Sequence, residues 1–315
     1  MQQPVLTLAF FEKGKALPHG FQRIIDEAGQ AMAGLIDAQG KPYSPGESGL
    51  DGTMDLIFLL CDREIAGVMS FEVKEDDAQL FYCHVREADK AYEGQFFTMA
   101  VGHFRSSGMG VVRTYFYWPS PEPCITAAGD MGFMPLERIE MARESDRGYP
   151  VRPLPEDVEL VPWSDGYLDD AARLLSENGN EIDRKIYPQE QTFAGARAQL
   201  KKITGNMYGN FLPDQSMIAR AGGATIGMLL ATERDGPSIL IPQVILDRNH
   251  RGRGIASAMI GRLVRDVAKR GDRKMTLMVN GQNSDAIRLY GRKGFRPLFV
   301  YKQYVLSVEK RKGQV

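Results

Sequence analysis

The residues best suited to chemistry lie in a short turn between an apolar run and a helical pattern. Val244–Leu246 is an apolar run of the strand type, and Arg251–Gly254 leads from it into the helical spacing of Ile255–Lys269. The first turn of a helix offers backbone N–H groups without intrahelical acceptors, and its dipole end is positive. Glycines let such a backbone come close to an anion. The stretch therefore predicts a phosphate-type anion site, although glycine turns before helices are common and carry little weight alone.

Two further features follow this turn along the chain. Asn283 comes after the strand predicted at Lys274–Val279, and Tyr290 lies on the next predicted helix, which Gly294-Phe295 closes. With these features included, the segment from Ile239 to Phe295 resembles the GNAT superfamily of acetyl-CoA-dependent N-acetyltransferases.

The resemblance rests on two motifs that occur in the family's order. The pyrophosphate loop pattern (Gln or Arg)-x-x-Gly-x-(Gly or Ala) is read here from Arg251 to Ala256. The later pattern Asn-x-x-Ala-x-x-Leu-Tyr-x-x-x-Gly-Phe is read from Asn283 to Phe295. Two motifs in order and at a workable separation are far more specific than either one alone.

The resemblance implies that acetyl-CoA is the cofactor and that the C-terminal half holds it. The loop amides would bind the pyrophosphate at the helix N-terminus, with charge-assisted contacts from Arg251 and Arg253. The pantetheine arm would pair with the strand backbone before the loop, and Asn283 would hydrogen-bond to it, although a turn-forming role for Asn283 is an alternative. The expected cofactor-binding residues are Val244, Leu246, Arg251, Gly252, Arg253, Gly254, Ile255, Ala256, Asn283 and Ala286.

The same resemblance implies the catalytic residues. Tyr290 would donate a proton to the departing CoA thiolate, because a phenol stays protonated at neutral pH; the alternative is a half-buried aromatic side chain. Family members often place a glutamate on the strand before the loop, but this chain has Pro242 there, with Gln243 beside it. Glu233 is the nearest carboxylate in sequence and is the candidate base, with a solvated charge at a strand end as the alternative.

The elements that would position these residues occur twice in the chain. Gly132–Leu136 matches Gly294–Leu298, and Ala66–Val68 matches Ile226–Met228 at nearly the same separation. The order of predicted strands and helices also repeats, which indicates a duplicated domain. A segment rich in proline separates the halves. We predict domains at 1–148 and 157–315, joined by a linker at 149–156.

The predicted fold class is α+β with α/β-type layers. Each of the two tandem GNAT domains would contain a mixed, largely antiparallel twisted sheet flanked by helices, with a splayed parallel strand pair at the cofactor site. The plan is similar to that of two-domain acetyltransferases of the mycothiol synthase type, an analogy of architecture that does not extend to the substrate.

The first half departs from the family pattern at the loop. Its corresponding segment, Arg86–Phe96, has one glycine and three carboxylates, which would repel a pyrophosphate. Pro121-Glu122-Pro123 replaces the stretch that contains Asn283, and no tyrosine stands in the place of Tyr290. We therefore expect the domain at 1–148 to be degenerate and the domain at 157–315 to be catalytic.

The composition excludes several classes of protein. The chain has 315 residues, 43% of them hydrophobic and 25% charged, with a net charge of −1 and a pI near 6.5. These values are those of a soluble globular protein and argue against nucleic-acid or membrane-surface partners. The three cysteines and four histidines show no spacing that suits a metal, so we expect no metal site and a reducing cytoplasm. No signal peptide or membrane-spanning stretch is expected.

The expected function is acetyl-CoA-dependent N-acetylation of a primary amine on a small molecule, by direct attack on the thioester. The alternatives are a non-catalytic acyl-CoA sensor or scaffold, and an acetyltransferase acting on a peptide or protein amine. Asn178–Gln191 is acidic and aromatic, which suits an amine acceptor but also an ordinary surface loop. The basic run at Arg262–Lys274 is expected to be a solvated helix face, with contact to the CoA 3′-phosphate as the alternative. A homodimer is left open.

Overall fold

A computed structural model describes residues 4–18, 20–32, 49–146, 149–234, 238–271 and 274–308. The chain forms two compact units, of which the first comprises Met1–Glu137 with Tyr301–Val315 and the second comprises Arg138–Val300. The predicted domains at 1–148 and 157–315, with a linker at 149–156, divide the chain by its duplicated sequence segments and not by compact units. That division stays a prediction.

Strands and helices alternate along both units. The described strands are β1 (Leu6–Phe11), β2 (Asp55–Cys61), β3 (Glu64–Lys74), β4 (Asp77–Val85), β5 (Val111–Thr114), β6 (Met134–Glu144), β7 (Val158–Pro162), β8 (Asn210–Phe211), β9 (Met217–Ala221), β10 (Ala224–Arg234), β11 (Ser238–Leu246), β12 (Lys274–Asn280) and β13 (Arg296–Ser307). The described α-helices are α1 (Gln22–Met32), α2 (Glu93–Ser106), α3 (Glu122–Asp130), α4 (Leu168–Asn178), α5 (Glu181–Ile186), α6 (Phe193–Thr204), α7 (Ile255–Lys269) and α8 (Ser284–Arg292).

The first unit contains a sheet with strands in the order β1-β2-β3-β4-β5-β13. Its neighbours are antiparallel except β4 and β5, which pair in parallel from Asp77↔Val111 to Leu80↔Thr114. The β2–β3 hairpin turns at Asp62 and Arg63, both with positive φ, as a two-residue turn between twisted strands requires. The short link Asp62-Arg63 between two strand-type runs predicts this hairpin from the sequence, and the pairing of β2 with β3 confirms it.

The second unit repeats this plan with strands in the order β6-β12-β11-β10-β9-β7. Strands β11 and β12 form the parallel pair, and the other neighbours are antiparallel. Helix α7 buries Ile255, Met259, Leu263 and Val267 against the sheet, one residue in each turn, as the spacing predicts. The mixed, largely antiparallel sheets flanked by helices confirm the predicted fold class.

The closing strand of each repeat pairs outside its own repeat. β6 closes the first repeat in sequence, yet it pairs with β12 of the second unit, from Arg138↔Asn280 to Glu144↔Lys274. β13 closes the second repeat, yet its end pairs with β5 of the first unit, from Tyr304↔Thr114 to Ser307↔Val111. Local sequence contains no signal for this exchange, because it depends on which strand each one pairs with.

Several element boundaries differ from the sequence predictions. The β-branched and aromatic residues of Val111–Trp118 predict a strand, but β5 ends at Thr114. Ser120–Cys124 predicts a turn, but α3 already begins within it at Glu122. Proline is tolerated in the first turn of a helix because its missing N–H has no acceptor there. The stretch Asn178–Gln191 contains α5 and a short 3₁₀ turn. Apolar residues at helical spacing predict a helix over Phe21–Ile36, and the structure describes α1 from Gln22 to Met32. The basic tail Lys310–Lys312 lies outside the described residues.

The described helices include none that is both long enough and apolar enough to cross a membrane.

The end of β13 should stabilise the first unit. Leu306 is buried in that unit's core, whereas Leu298 on the same strand is 38% exposed. We expect Leu306→Ala to lower the free energy of unfolding by about 2–4 kcal/mol, because it leaves a cavity. The control Leu298→Ala should cost about 1 kcal/mol at most.

Amide hydrogen exchange checks where the loss occurs. Exchange in Val111–Thr114 should accelerate in Leu306→Ala and not in the control. Unchanged exchange there would contradict the pairing of β13 with β5.

Candidate functional site

The site begins where two parallel strands part. Pairing of β11 with β12 runs from Ser238↔Lys274 to Ile241↔Leu277. The next residue, Pro242, lacks the N–H that would continue the ladder. Beyond it β11 continues beside β10 as far as Leu246↔Gly227, and β12 continues beside β6. The two strands therefore splay as predicted, and the gap exposes the β11 backbone that includes Val244.

The loop after β11 has a conformation that only glycine adopts readily. Gly252 and Gly254 have φ values of +77° and +85°, in the left-handed region. Gly254 is the N-cap of α7 and accepts the first helical hydrogen bond, from Ala258 N at 2.9 Å. With no side chain to cap the helix, Gly254 leaves the amides of Ile255 and Ala256 facing the end of the loop. This backbone conformation suits an anion, and the predicted binding of a pyrophosphate here stays a prediction.

The two loop arginines bind the protein itself. Arg251 donates from Nη2 to Asn178 O at 2.9 Å and from Nε to Leu246 O at 3.3 Å. Arg253 Nη2 pairs with the carboxylate of Asp157. These guanidinium groups therefore fix the loop, and the predicted contacts from Arg251 and Arg253 to a phosphate stay a prediction.

Asn178 is a residue of this site that sequence reasoning missed. It is the last residue of α4, is 4% exposed, and accepts from the backbone N–H of Arg248 through Oδ1 at 3.0 Å. Its backbone carbonyl accepts the Arg251 bond at 2.9 Å. The available signal was an asparagine at the end of an amphipathic helix pattern, where its side chain can hydrogen-bond to nearby backbone groups.

Asn283 and Ala286 lie at the start of α8. The Asn283 side chain accepts from Ala286 N at 3.2 Å, which makes Asn283 the N-cap of the helix. The bond uses the oxygen of the amide, whereas a ligand contact would use its nitrogen as donor. The turn-forming alternative therefore has structural support, and the ligand role stays a prediction.

Tyr290 lies on the inner side of α8. It is 9% exposed, and its ring contacts Phe295 edge-on with 5.9 Å between centroids. Burial, and then the charge of Asp183, raises the pKa of the phenol to about 12. The hydroxyl is thus protonated at neutral pH, as a proton donor must be.

Asp183 on α5 is the carboxylate that the fold brings towards Tyr290. Burial raises the pKa of its carboxyl, and the nearby Arg138 on β6 opposes that shift. Asn180 fixes its orientation by donating from Nδ2 to Asp183 Oδ2 at 2.6 Å. The Arg138 guanidinium also lies 5.9 Å from the centre of the Tyr187 ring. Asp183 and Tyr187 belong to the stretch that the sequence left open between an acceptor site and a surface loop.

Glu233 lies on β10 opposite Ile239, whereas the anion loop follows Leu246 at the other end of β11. At about 3.3 Å per residue the two ends of β11 are about 26 Å apart. Glu233 is half-buried. Its role as a base therefore stays a prediction.

The first unit has a carboxylate at the equivalent helix start. Glu93 begins α2, is 0% exposed, and binds Lys90 Nζ through Oε1 at 3.0 Å. Burial raises the pKa of this carboxyl, and Lys90 opposes the shift. A negative group at a helix N-terminus supplies the charge that a phosphate would otherwise bring. This geometry supports the prediction that the first half has lost its cofactor site.

Comparison with known proteins links the second unit to one family. The family profile described as the acetyltransferase (GNAT) family matches residues 181–295. An acetyltransferase of Sodalis glossinidius is 35% identical over 81 residues, which cover 26% of this chain and 56% of that protein. The chain thus matches about half the length of this relative.

Two solved structures share the fold over nearly the whole chain. A GCN5-related N-acetyltransferase from Sphaerobacter thermophilus has a TM-score of 0.59 and 18% identity, covering 96% of both chains. A tandem GNAT protein from the clavulanic acid biosynthesis pathway has a TM-score of 0.54 and 14% identity, covering 98% of this chain and 100% of its own. At 18% and 14% identity, the similarity to these two structures shows a shared fold and nothing further.

The cap at Asn283 can be tested by paired substitutions. We expect Asn283→Ala to lower the free energy of unfolding by about 1 kcal/mol, because Ala286 N loses its acceptor. Asn283→Ser should cost much less, since a hydroxyl can accept the same bond. Urea unfolding of both variants measures the difference, and equal stabilities would contradict the capping role.

Proposed function

Residues 181–295 of this chain belong to the acetyltransferase (GNAT) family, and from that premise we propose that the protein is an N-acetyltransferase. It transfers an acetyl group from acetyl-CoA to a primary amine of a small molecule. The observation that carries the proposal is the convergence, within one unit, of splayed strands, a glycine anion loop and a buried tyrosine.

Acetyl-CoA suits the two parts of the donor site. The amides after Gly254 bind the pyrophosphate, because a helix N-terminus combines unpaired N–H groups with a positive dipole end. The extended pantetheine arm adds to the open side of β11 between Pro242 and Leu246, as a peptide adds to a free strand edge. Its thioester then lies in the gap between β11 and β12, with Tyr290 on α8 beside it.

Asp183 is the base that we assign to the acceptor side. The position where the family often has a glutamate is Pro242, which cannot accept a proton. Asp183 is a partly buried carboxylate whose raised pKa brings it nearer to neutral pH, where a general base works best. Its charge acts on Tyr290, so base and acid lie in one cluster.

The reaction balances with these two residues. Asp183 accepts the proton of the bound ammonium, and the amine nitrogen attacks the carbonyl carbon of the thioester. The carbon–sulfur bond breaks, and the CoA thiolate takes the phenol proton of Tyr290. Burial raises the proton affinity of a thiolate as well as that of a phenolate, so the raised pKa of Tyr290 does not by itself oppose the transfer. The proton held by Asp183 then returns to Tyr290, and the second proton that the attacking nitrogen loses on becoming a neutral amide leaves to solvent.

The function is tested by release of free thiol from acetyl-CoA across a panel of amines. The panel contains monoamines, diamines and amino acids, because Asp183 and Arg138 offer the acceptor one site of each charge. We expect amine-dependent thiol release and an acetylated product by mass spectrometry. Binding of acetyl-CoA without turnover on any amine would point to a sensor, and absence of binding would reject the proposal.

Tyr290→Phe should lower kcat by about 10²-fold, because the departing thiolate loses its proton donor. KM for acetyl-CoA should change little, since the ring still packs against Phe295. Steady-state kinetics with the best amine of the panel measures both constants, and an unchanged kcat would remove Tyr290 from the mechanism.

Asp183→Asn should lower kcat/KM for the amine by about 10²-fold and leave acetyl-CoA affinity unchanged. In the wild type kcat/KM should rise with pH as Asp183 loses its proton, above the ordinary range of a carboxyl, because its pKa is raised. The variant should lack that limb of the profile.

Glu181→Gln, an exposed change on the same helix, is the matched control for Asp183→Asn. It should keep the wild-type pH profile. If Asp183→Asn keeps the profile as well, the base lies elsewhere, with Glu233 as the next candidate.

A further inference from the structure

Four cations gather in the second unit, and one of them, Arg152, lies against the anion loop. They are Arg143 on β6, Arg152 before β7, and Arg292 and Lys293 at the end of α8. We call them the cation cluster. The predicted site residues include none of the four, and the proposed chemistry gives them no role.

Lys293 is the buried member of the cation cluster. It is 8% exposed, and burial, followed by the charges of Arg152, Arg143 and Arg292, lowers the pKa of its ammonium. The charged neighbours that act on it are thus of its own sign. Such an arrangement destabilises the folded protein, because like charges repel and burial removes their hydration.

Tyr149 holds two of these cations in place without neutralising them. Its ring centre lies 4.6 Å from the Arg143 guanidinium and 5.5 Å from Lys293 Nζ. Arg143 also donates from Nη1 to the backbone carbonyl of Lys293. An aromatic face attracts cations through its quadrupole but carries no net charge, so the cluster keeps its positive charge.

The cation cluster continues directly from the loop at the start of α7. A Cβ placed on Gly254 would lie 2.9 Å from Arg152 Nε, so the guanidinium lies against the loop backbone. Tyr149 lies further along the same helix, since a Cβ on Gly261 would lie 3.5 Å from its ring. The cation cluster therefore follows α7 from the loop, with Arg152 nearest to the helix amides.

The basic run on α7, the alternative raised by the sequence, is arranged differently. Arg262 and Lys269 both pair with Asp266, at 3.6 Å and 3.1 Å. Opposite charges thus compensate on that helix face, whereas the charges around Lys293 accumulate. An anion gains more from the accumulated charges, because each added cation strengthens the local potential.

We propose that Arg152 and Lys293 form a second anion subsite, which takes a phosphate group of the donor nucleotide next to the loop. Arg143 and Tyr149 position Lys293 for this contact. The proposal rests on the proposed function, because the phosphate is taken to be either the pyrophosphate or the 3′-phosphate of CoA. Both are dianionic or polyanionic groups of the kind that arginine and lysine bind.

Calorimetry on the full chain tests the subsite with three probes: CoA, 3′-dephospho-CoA and inorganic pyrophosphate. We expect Arg152→Ala and Lys293→Met each to weaken CoA binding about 10-fold, the usual effect of losing one charge-assisted phosphate contact. The control Arg265→Ala removes an exposed positive charge from α7 and should leave the affinity within about 2-fold.

The probes identify which phosphate is bound. An equal loss with CoA and 3′-dephospho-CoA assigns the subsite to the pyrophosphate, and a loss with CoA alone assigns it to the 3′-phosphate. Wild-type affinity of both variants for CoA and for pyrophosphate would overturn the proposal. If the wild type binds pyrophosphate but not CoA, the proposed function fails. The subsite then stands only if the variants weaken pyrophosphate binding.

A second readout separates a binding role from a structural one. Lys293→Met keeps the apolar stem and removes the buried charge, so the unliganded protein should unfold at a higher temperature. The same variant should show a smaller rise in unfolding temperature when CoA is added than the wild type does. A lower unfolding temperature without ligand would mean that the ammonium stabilises the fold, and this result would also overturn the proposal.

Discussion

The second unit depends on one interruption in its sheet, the point at which β11 and β12 stop pairing. Parallel strands normally run together, but Pro242 cannot donate the next ladder bond, and the pairing with β12 ends there while β12 continues along β6 on its other edge. The interruption creates an open backbone edge inside the sheet. It also directs the end of β11 into the glycine loop, so the strand edge and the start of α7 can serve a single elongated ligand.

Within this frame, positive charge is divided between two tasks. Arg251 and Arg253 belong to the motif, yet their side chains bind Asn178 and Asp157 and so hold the loop in its left-handed conformation. The charges that face like charges lie elsewhere, around Lys293. A guanidinium that binds the protein fixes the geometry of the loop. A cation whose neighbours are also cations is not neutralised, so its positive charge can still attract an anionic ligand. The loop backbone is therefore held by one set of charges, and the positive electrostatic potential beside it comes from another.

The duplicated plan shows how one architecture can keep or lose a site. Both units have a parallel strand pair, and both place a helix start after the first of these strands. In the first unit Glu93 occupies that helix start with a buried negative charge, while the second unit has Gly254. The closing strand of the first repeat, β6, pairs with β12, and the closing strand of the second repeat, β13, pairs with β5. Neither repeat therefore completes its own sheet.

The sequence alone determined what local chemistry can specify. Two glycines that need positive φ, the periodic apolar residues of α7 and the spacing from Asn283 to Tyr290 predicted the loop, the helix and the resemblance to a family whose profile matches residues 181–295. Tertiary structure decided what depends on distant partners. The approach of Asp183 to Tyr290, the gathering of Arg143 and Arg152 around Lys293, and the exchange of closing strands all join residues far apart in the chain. A linear pattern records spacing along the chain, whereas a charge or a strand edge acts through space.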